Sequence, residues 1–206
     1  MPDHKVCIIQ ARMGSTRLPG KVLLPLNGHT VIREVITRCQ KIPGIDEVCV
    51  ATPDHKIADT IDGLCHVVFG PEHDVLKRYV IAAVMTNASI VMRITADCPL
   101  LSPQLCGAVL DHLGDADYCS NVHPRTFPQG MDCEVFTREI LKRAHREALP
   151  TDREHVTTWM LRSPIKRSNL ASPWKLDGRL TLDTEDDYRT ICAAFGHAPF
   201  ERLCAA

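Results

Sequence analysis

Four short apolar runs constrain this chain more than any other feature: "VCIIQA" (6–11), "EVCVAT" (47–52), "HVVF" (66–69) and "SIVMRI" (89–94). None shows the strict polar–apolar alternation of a strand with one wet face, so each reads as a strand covered on both sides. Between and after them lie segments with helical periodicity. Thr30 is placed to cap a helix whose Val31, Ile32, Val35, Ile36 and Cys39 share one face. Ile57, Ala58, Ile61 and Leu64 mark a second helix, and "DVLKRYVIAAVM" (74–85) a third. Ser102 caps a fourth, with Pro103 in its first turn. Strands and helices alternating at this spacing predict an α/β fold with a mostly parallel sheet and right-handed crossovers.

The second half is less regular. "DYCSN" and "DCEVFT" read as strands, and Thr137 opens the helix "REILKRAHREAL". "TDREHVTTWML" begins as a helix with a capping box from Thr151 to Glu154, and "RLTLDTEDDY" is a strand entering a helix capped by Thr184. With 206 residues and no repeat, low-complexity tract or linker, the chain reads as one domain, 1–206, with an excursion over about 118–165. A net charge of −1 gives no electrostatic case for nucleic acid or an anionic membrane. The ten cysteines form no C-x-x-C pair and sit mostly inside apolar runs. They predict buried, reduced thiols of a cytoplasmic protein rather than disulfides or a zinc site. "MPDHKVCIIQ" carries no apolar signal stretch, and no run approaches membrane-spanning length.

Ligands of parallel sheets collect at the carboxyl ends of the strands. The first strand ends in "ARMGSTRLPGK" (11–21), whose Arg12, Arg17 and Lys21 call for a polyanion. This is not the phosphate-cradling loop of ATPases. Gly14 and Gly20 are separated by five residues rather than four, Val22 replaces the magnesium-binding hydroxyl, and Pro19 removes a backbone donor. A local basic loop on a neutral chain favours a small phosphorylated ligand. Asp97 follows the fourth strand in "TADCP", and Asp183 follows "RLTL". Two strand-end aspartates opposite three cations suit phosphate chemistry at a magnesium ion. Each acidic motif alone also fits a plainer role, Asp97 in a turn and Asp183 at the positive end of a helix.

Further candidates are weaker. Arg93 interrupts the apolar "VMRIT" and needs an anionic or carbonyl partner, either an ion pair or a ligand. Asp132 and Glu134 alternate within one predicted strand, so they would share a face and touch a substrate's hydroxyls or amine. Glu154 and His155 fall in a predicted helix, where a solvated face is the plainer reading. Cys98 has no histidine near it in sequence to activate it.

"IIQARMGSTRLPGKVLLPLNG" resembles the N-terminal signature of the sugar cytidylyltransferases, the family of the CMP-KDO and CMP-sialic acid synthetases and the spore coat polysaccharide biosynthesis protein F group. "GPEHDVLKRY", "VMRITADCPLLSP", "SNVHPRTFPQGMDCEVF", "DREHVTTWM" and "RLTLDTEDDYRTI" resemble segments of that last group in the same order. The resemblance implies a three-layer Rossmann-like nucleotidyltransferase fold. It also implies Mg²⁺-dependent transfer of CMP from CTP to an oxygen of a sugar or sugar acid, with loss of pyrophosphate. On its terms Arg12, Arg17 and Lys21 neutralise the triphosphate, and the backbone around Ala11 and Met13 lies near the base. Gly14, Ser15 and Arg93 join the nucleotide site, and Asp97 and Asp183 hold the metal. Arg12, Lys21, Asp97 and Asp183 are the catalytic set it implies.

Arg125, Asp132, Glu134 and His155 would shape the acceptor pocket by position. "IQAR" favours cytidine over the "LAAG" or "LAGG" opening of uridylyl- and guanylyltransferases. A homodimer through the excursion is implied as well. "RITADCPL" departs from the sialate and KDO versions, which leaves the acceptor open, a phosphonate or polyol phosphate included. A non-catalytic CTP-binding module is the rival reading. The sequence ends at "FERLCAA", earlier than the resemblance implies, from which a more open acceptor side or dependence on a partner is expected.

Overall fold

In the computed structural model, residues 3–174 and 176–195 are described. The chain forms β1 (Lys5–Gln10), a 3₁₀ turn (Lys21–Leu23), the hairpin strands β2 (Pro25–Leu26) and β3 (His29–Thr30), then α1 (Val31–Cys39). Next come β4 (Glu47–Thr52), α2 (His55–Thr60), β5 (His66–Phe69), α3 (Val75–Met85), β6 (Ile90–Thr95) and α4 (Pro103–Asp111). The second half adds β7 (Tyr118–Ser120), β8 (Glu134–Thr137), α5 (Arg138–Glu147), a 3₁₀ turn (Pro150–Asp152), α6 (Thr158–Arg162), β9 (Arg167–Asn169) and α7 (Glu185–Ala194).

One sheet carries seven strands in the order β5-β4-β1-β6-β8-β7-β9. β5, β4, β1 and β6 pair in parallel, as do β7 and β9, while β8 runs antiparallel to both of its neighbours. The unbroken apolar runs have a direct cause. Cys7 and Ile9 of β1 pack into one core with Ile36 of α1, Ile57 of α2 and Val109 of α4. Val6 and Ile8 pack into the other with Tyr79 of α3, Leu141 of α5 and Trp159 of α6. With helices on both faces, Val6, Cys7, Ile8 and Ile9 are all buried and no polar alternation survives.

Local signals held unevenly. Ser102, Thr137 and Thr184 cap α4, α5 and α7 by accepting backbone N–H bonds, and Asp74 does the same for α3. Thr30 occupies the N-cap of α1, but its hydroxyl makes no cap bond and is buried without a partner. α2 stops at Thr60, and Ile61 and Leu64 pack from the turn that follows. The expected strand "DCEVFT" begins only at Glu134, which leaves Asp132 outside it. The expected helix at "TDREHVTTWML" begins only at Thr158, so Glu154 and His155 lie in a turn. The reason is Asp152: it accepts the Leu149 N–H at 2.8 Å and pairs with Arg162, closing a 3₁₀ turn before the helix can start. "RLTL" makes a single bridge, Gln129 to Arg179, rather than a ladder.

Among the described residues the cysteines are free, and all are buried except half-buried Cys65 and exposed Cys192; Cys204 lies outside them. No helix of the described residues is long and apolar enough to cross a membrane.

Candidate active site

Register builds the site. Gln10, the last residue of β1, pairs with Thr95, the last of β6. The loops that follow therefore leave the sheet side by side, at the point where the strand order turns from β4 on one side of β1 to β6 on the other. The loop after β1 folds back on itself, with the Ser15 and Gly20 N–H groups donating to the Met13 carbonyl at 2.9 and 3.2 Å. Met13 N–H in turn donates to Asp54 at 2.8 Å, tying the loop to the end of β4. Gly20, at φ 69°, makes the left-handed step from which the Lys21 turn begins. On the far side, Leu182 N–H donates to the Asp97 carbonyl at 2.8 Å, so the segment carrying Asp183 is strapped to the loop after β6.

These supports converge on one contact. The Lys21 ammonium donates to Asp97 Oδ2 at 2.7 Å and to Asp183 Oδ1 at 2.8 Å. Asp183 Oδ2 accepts from Arg17 at 3.0 Å and from Arg179 at 2.5 Å, and Arg179 also reaches Asp187 at 3.0 Å. Burial by itself lowers the Lys21 pKa, but the two carboxylates outweigh it and hold the group above the ordinary lysine value. Burial pushes Asp183 up, and bonds from Lys21 and Arg179 with the charge of Arg17 bring it net below the usual carboxylate range. Lys21 is no exposed loop cation, for its side chain is only 12 % accessible.

A cleft of about 650 Å³ opens over this contact. Ten of the sequence-predicted residues line it: Ala11, Arg12, Gly14, Ser15, Arg17 and Lys21 from the basic loop, with Asp97, Asp132, His155 and Asp183 facing them. Arg12 pairs loosely with Glu154 at 3.4 Å across the opening. Four predicted residues do not line it. The Met13 backbone N–H is taken by Asp54 while its side chain packs against the core, and Arg125 grips Asp132 with two bonds of 2.6 and 2.8 Å. Arg93 and Glu134 form an ion pair beneath the floor, so the first takes its anion from the protein and the second is not on Asp132's wall. Arg93 reaches the cleft only indirectly, donating at 3.2 Å to Oε1 of Gln10, which does line it.

Sequence reasoning passed over Arg78. It lies on α3, is 1 % exposed, and yet lines the cleft. One guanidinium nitrogen donates to the Pro71 carbonyl at 2.9 Å, while Nε is buried with no hydrogen-bond partner. Burial depresses its pKa, and it makes no ion pair among the described residues. The signal was there: Val75, Arg78, Tyr79 and Ala82 share the buried face of one helix, so an arginine stood in an apolar stripe. Gln129 and Thr181 also line the cleft but carry no motif. Cys98 lines it too, with burial pushing its thiol well above the usual value, which keeps it protonated.

Two carboxylates drawn onto a single cation are a pair of hard oxygen donors, which suits Mg²⁺. No cluster of three His, Cys, Asp or Glu side chains among the described residues could hold a metal by itself. The remaining ligands would be phosphate oxygens and water, as is usual for this ion.

The cytidylyltransferase family model matches residues 6–192. The chain belongs to the cytidylyltransferase family. This cytidylyltransferase is 32% identical to the spore coat polysaccharide biosynthesis protein SpsF of Bacillus subtilis over 211 aligned residues, covering 93% of this chain and 86% of that one. It is 35% identical over 195 residues to an uncharacterized protein of Methanocaldococcus jannaschii, covering 88% and 79%. A solved cytidylyltransferase of Leptospira borgpetersenii superposes with a TM-score of 0.87 at 31% identity, covering 95% of this chain and 87% of that one. A CMP:2-keto-3-deoxy-manno-octonic acid synthetase complexed with CTP superposes at 0.71 with 20% identity, covering 92% and 97%, and shares the fold. The chain is thus a nucleotidyltransferase enzyme of Rossmann-like α/β architecture, as its sequence implied.

Proposed function

We propose that this cytidylyltransferase moves CMP from CTP to an oxygen of a sugar or sugar acid and releases pyrophosphate, with Mg²⁺ as cofactor, for surface polysaccharide or glycan synthesis. The observation that carries the proposal is the meeting of Lys21, Asp97 and Asp183 at the strand rim, beneath a loop bearing Arg12 and Arg17. The relative named for spore coat polysaccharide biosynthesis supports the pathway class.

Arg12, Arg17 and Lys21 take the triphosphate, and the backbone of Ala11, Gly14 and Ser15 lies along it. Arg78 adds a further cation beside the nucleotide from the cleft wall. Asp97 and Asp183 hold Mg²⁺, which when bound neutralises phosphate charge and lowers the pKa of an acceptor hydroxyl. That hydroxyl gives its proton to solvent as its oxygen attacks the α-phosphorus in line. The bond from phosphorus to the α,β-bridging oxygen breaks, and pyrophosphate leaves with the electron pair. No protein nucleophile takes part, in keeping with the protonated Cys98. Asp132, braced by Arg125, and His155 face the acceptor. The resemblance supports a cytoplasmic homodimer of one-domain chains, with residues 118–165 at the subunit contact.

The test is pyrophosphate release with each of four nucleoside triphosphates against sugars, keto-sugar acids, phosphonates and polyol phosphates. Release with CTP and one acceptor class, abolished in Asp97→Asn and Asp183→Asn, is the expected result. A thermal shift with CTP but no release with any acceptor would identify a binding module instead.

A further inference from the structure

The charges around Asp183 balance without any metal. Lys21, Arg17 and Arg179 face Asp97, Asp183 and Asp187 in one connected network, three cations against three carboxylates. Lys21 lies between the two aspartates with bonds of 2.7 and 2.8 Å, and its side chain is 12 % accessible. A divalent ion held by the same oxygens would stand within a few ångströms of the ammonium, where like charges repel strongly in a partly buried site.

We infer that Lys21 is a built-in counter-ion that keeps a divalent cation off Asp97 and Asp183 until a nucleoside triphosphate draws the ammonium away. The inference rests on the proposed role of the two aspartates as cation ligands. A triphosphate brings several negative charges into a cleft whose aspartates are already neutralised, and Lys21 and Arg17 are the cations that can turn to it. Once Lys21 leaves, Asp97 Oδ2 and Asp183 Oδ1 are freed together, while Arg179 keeps its hold on Asp183 Oδ2. Metal and nucleotide therefore enter as one unit, and each raises the affinity of the other by the same factor. A lysine suits this role, being a compact charge on a flexible stem that pivots between partners, whereas Arg179 is fixed by both Asp183 and Asp187.

The experiment is titration of the full chain with Mn²⁺ alone, followed by the free-ion paramagnetic resonance signal. Wild type is expected to bind weakly without nucleotide, and Lys21→Met about tenfold more tightly or better. Lys21→Arg keeps the charge and should stay weak, while Lys21→Met with Asp183→Asn should lose the gain. Equal affinity in wild type and Lys21→Met overturns the inference. So does tight binding in Lys21→Arg, which would assign the effect to packing rather than charge. A parallel titration with CTP separates the two readings. If wild type holds Mn²⁺ with CTP and equally well without it, only the role of Lys21 falls. If it holds none beyond what CTP binds in free solution, the cation site itself falls.

Discussion

Arg93 on β6 and Glu134 on β8 are register partners and ion-paired, at the joint where the parallel half of the sheet meets its antiparallel strand. The Tyr118 hydroxyl donates to the same glutamate at 2.5 Å, and Arg93 donates to Gln10 at the cleft floor. A buried pair of this kind adds little net stability over an apolar pair, but losing one partner strands the other charge.

Glu134→Gln should therefore destabilise the fold by about 3–5 kcal/mol, read by denaturant unfolding. Burial pushes Glu134 up, yet Arg93 and the hydroxyl bonds leave it net below the usual glutamate value. A depressed folded pKa means that its stabilisation is present above the unfolded value, near pH 4.3, and disappears as pH falls through the folded one. Wild type should lose stability steeply on that acid limb and Glu134→Gln less so. Parallel acid limbs would show that the pair does not couple to folding.

Lys21→Ala should lower turnover by about 30- to 1000-fold, corresponding to about 2–4 kcal/mol for one preorganised electrostatic contact. It should also lower the melting temperature, because Asp97 and Asp183 would lose the one cation that bridges them, leaving Asp183 with Arg17 and Arg179 alone. Mg²⁺ added without nucleotide should restore part of that loss. Unchanged turnover on the proper acceptor would remove Lys21 from the chemistry.

Gly130→Ala should damage catalysis from a residue that needs no substrate contact. Gly130 has φ 97°, and a Cβ there would lie 2.5 Å from the Leu180 carbonyl carbon and 2.7 Å from the Thr181 nitrogen. Backbone cannot yield as a flexible side chain does, so the segment leading to Asp183 must shift. The expected result is a stability loss of more than about 2 kcal/mol with a fall in kcat. Wild-type stability would mean that the two backbones separate easily.

Arg78→Met should weaken CTP binding by about tenfold or more, the scale of one lost hydrogen bond from a charged donor. Calorimetric titration with CTP and no acceptor checks this, and an unchanged Kd would exclude Arg78 from the nucleotide site. Arg78 has no carboxylate partner to strand among the described residues, so folding should survive the change.

The parallel half of the sheet was legible from the sequence alone, because β1, β4 and β6 are buried on both faces and burial leaves an unbroken apolar run. The same reading placed the loop of Arg12, Arg17 and Lys21 and the Asp97 turn on one rim, since both follow the carboxyl ends of parallel strands. It fared worse past Asp117, where Asp152 and Arg125 recruit neighbours that local rules had assigned elsewhere. Tertiary structure alone decided which charge meets which. Lys21 finds Asp97 across 76 residues and Asp183 across 162, Arg93 takes Glu134 rather than a ligand, and Arg78 reaches the cleft from a buried helix face. Periodicity reports how deeply a position is buried, which is a local property. An ion pair depends on a distance of a few ångströms between distant segments, and strand register and loop straps set that distance.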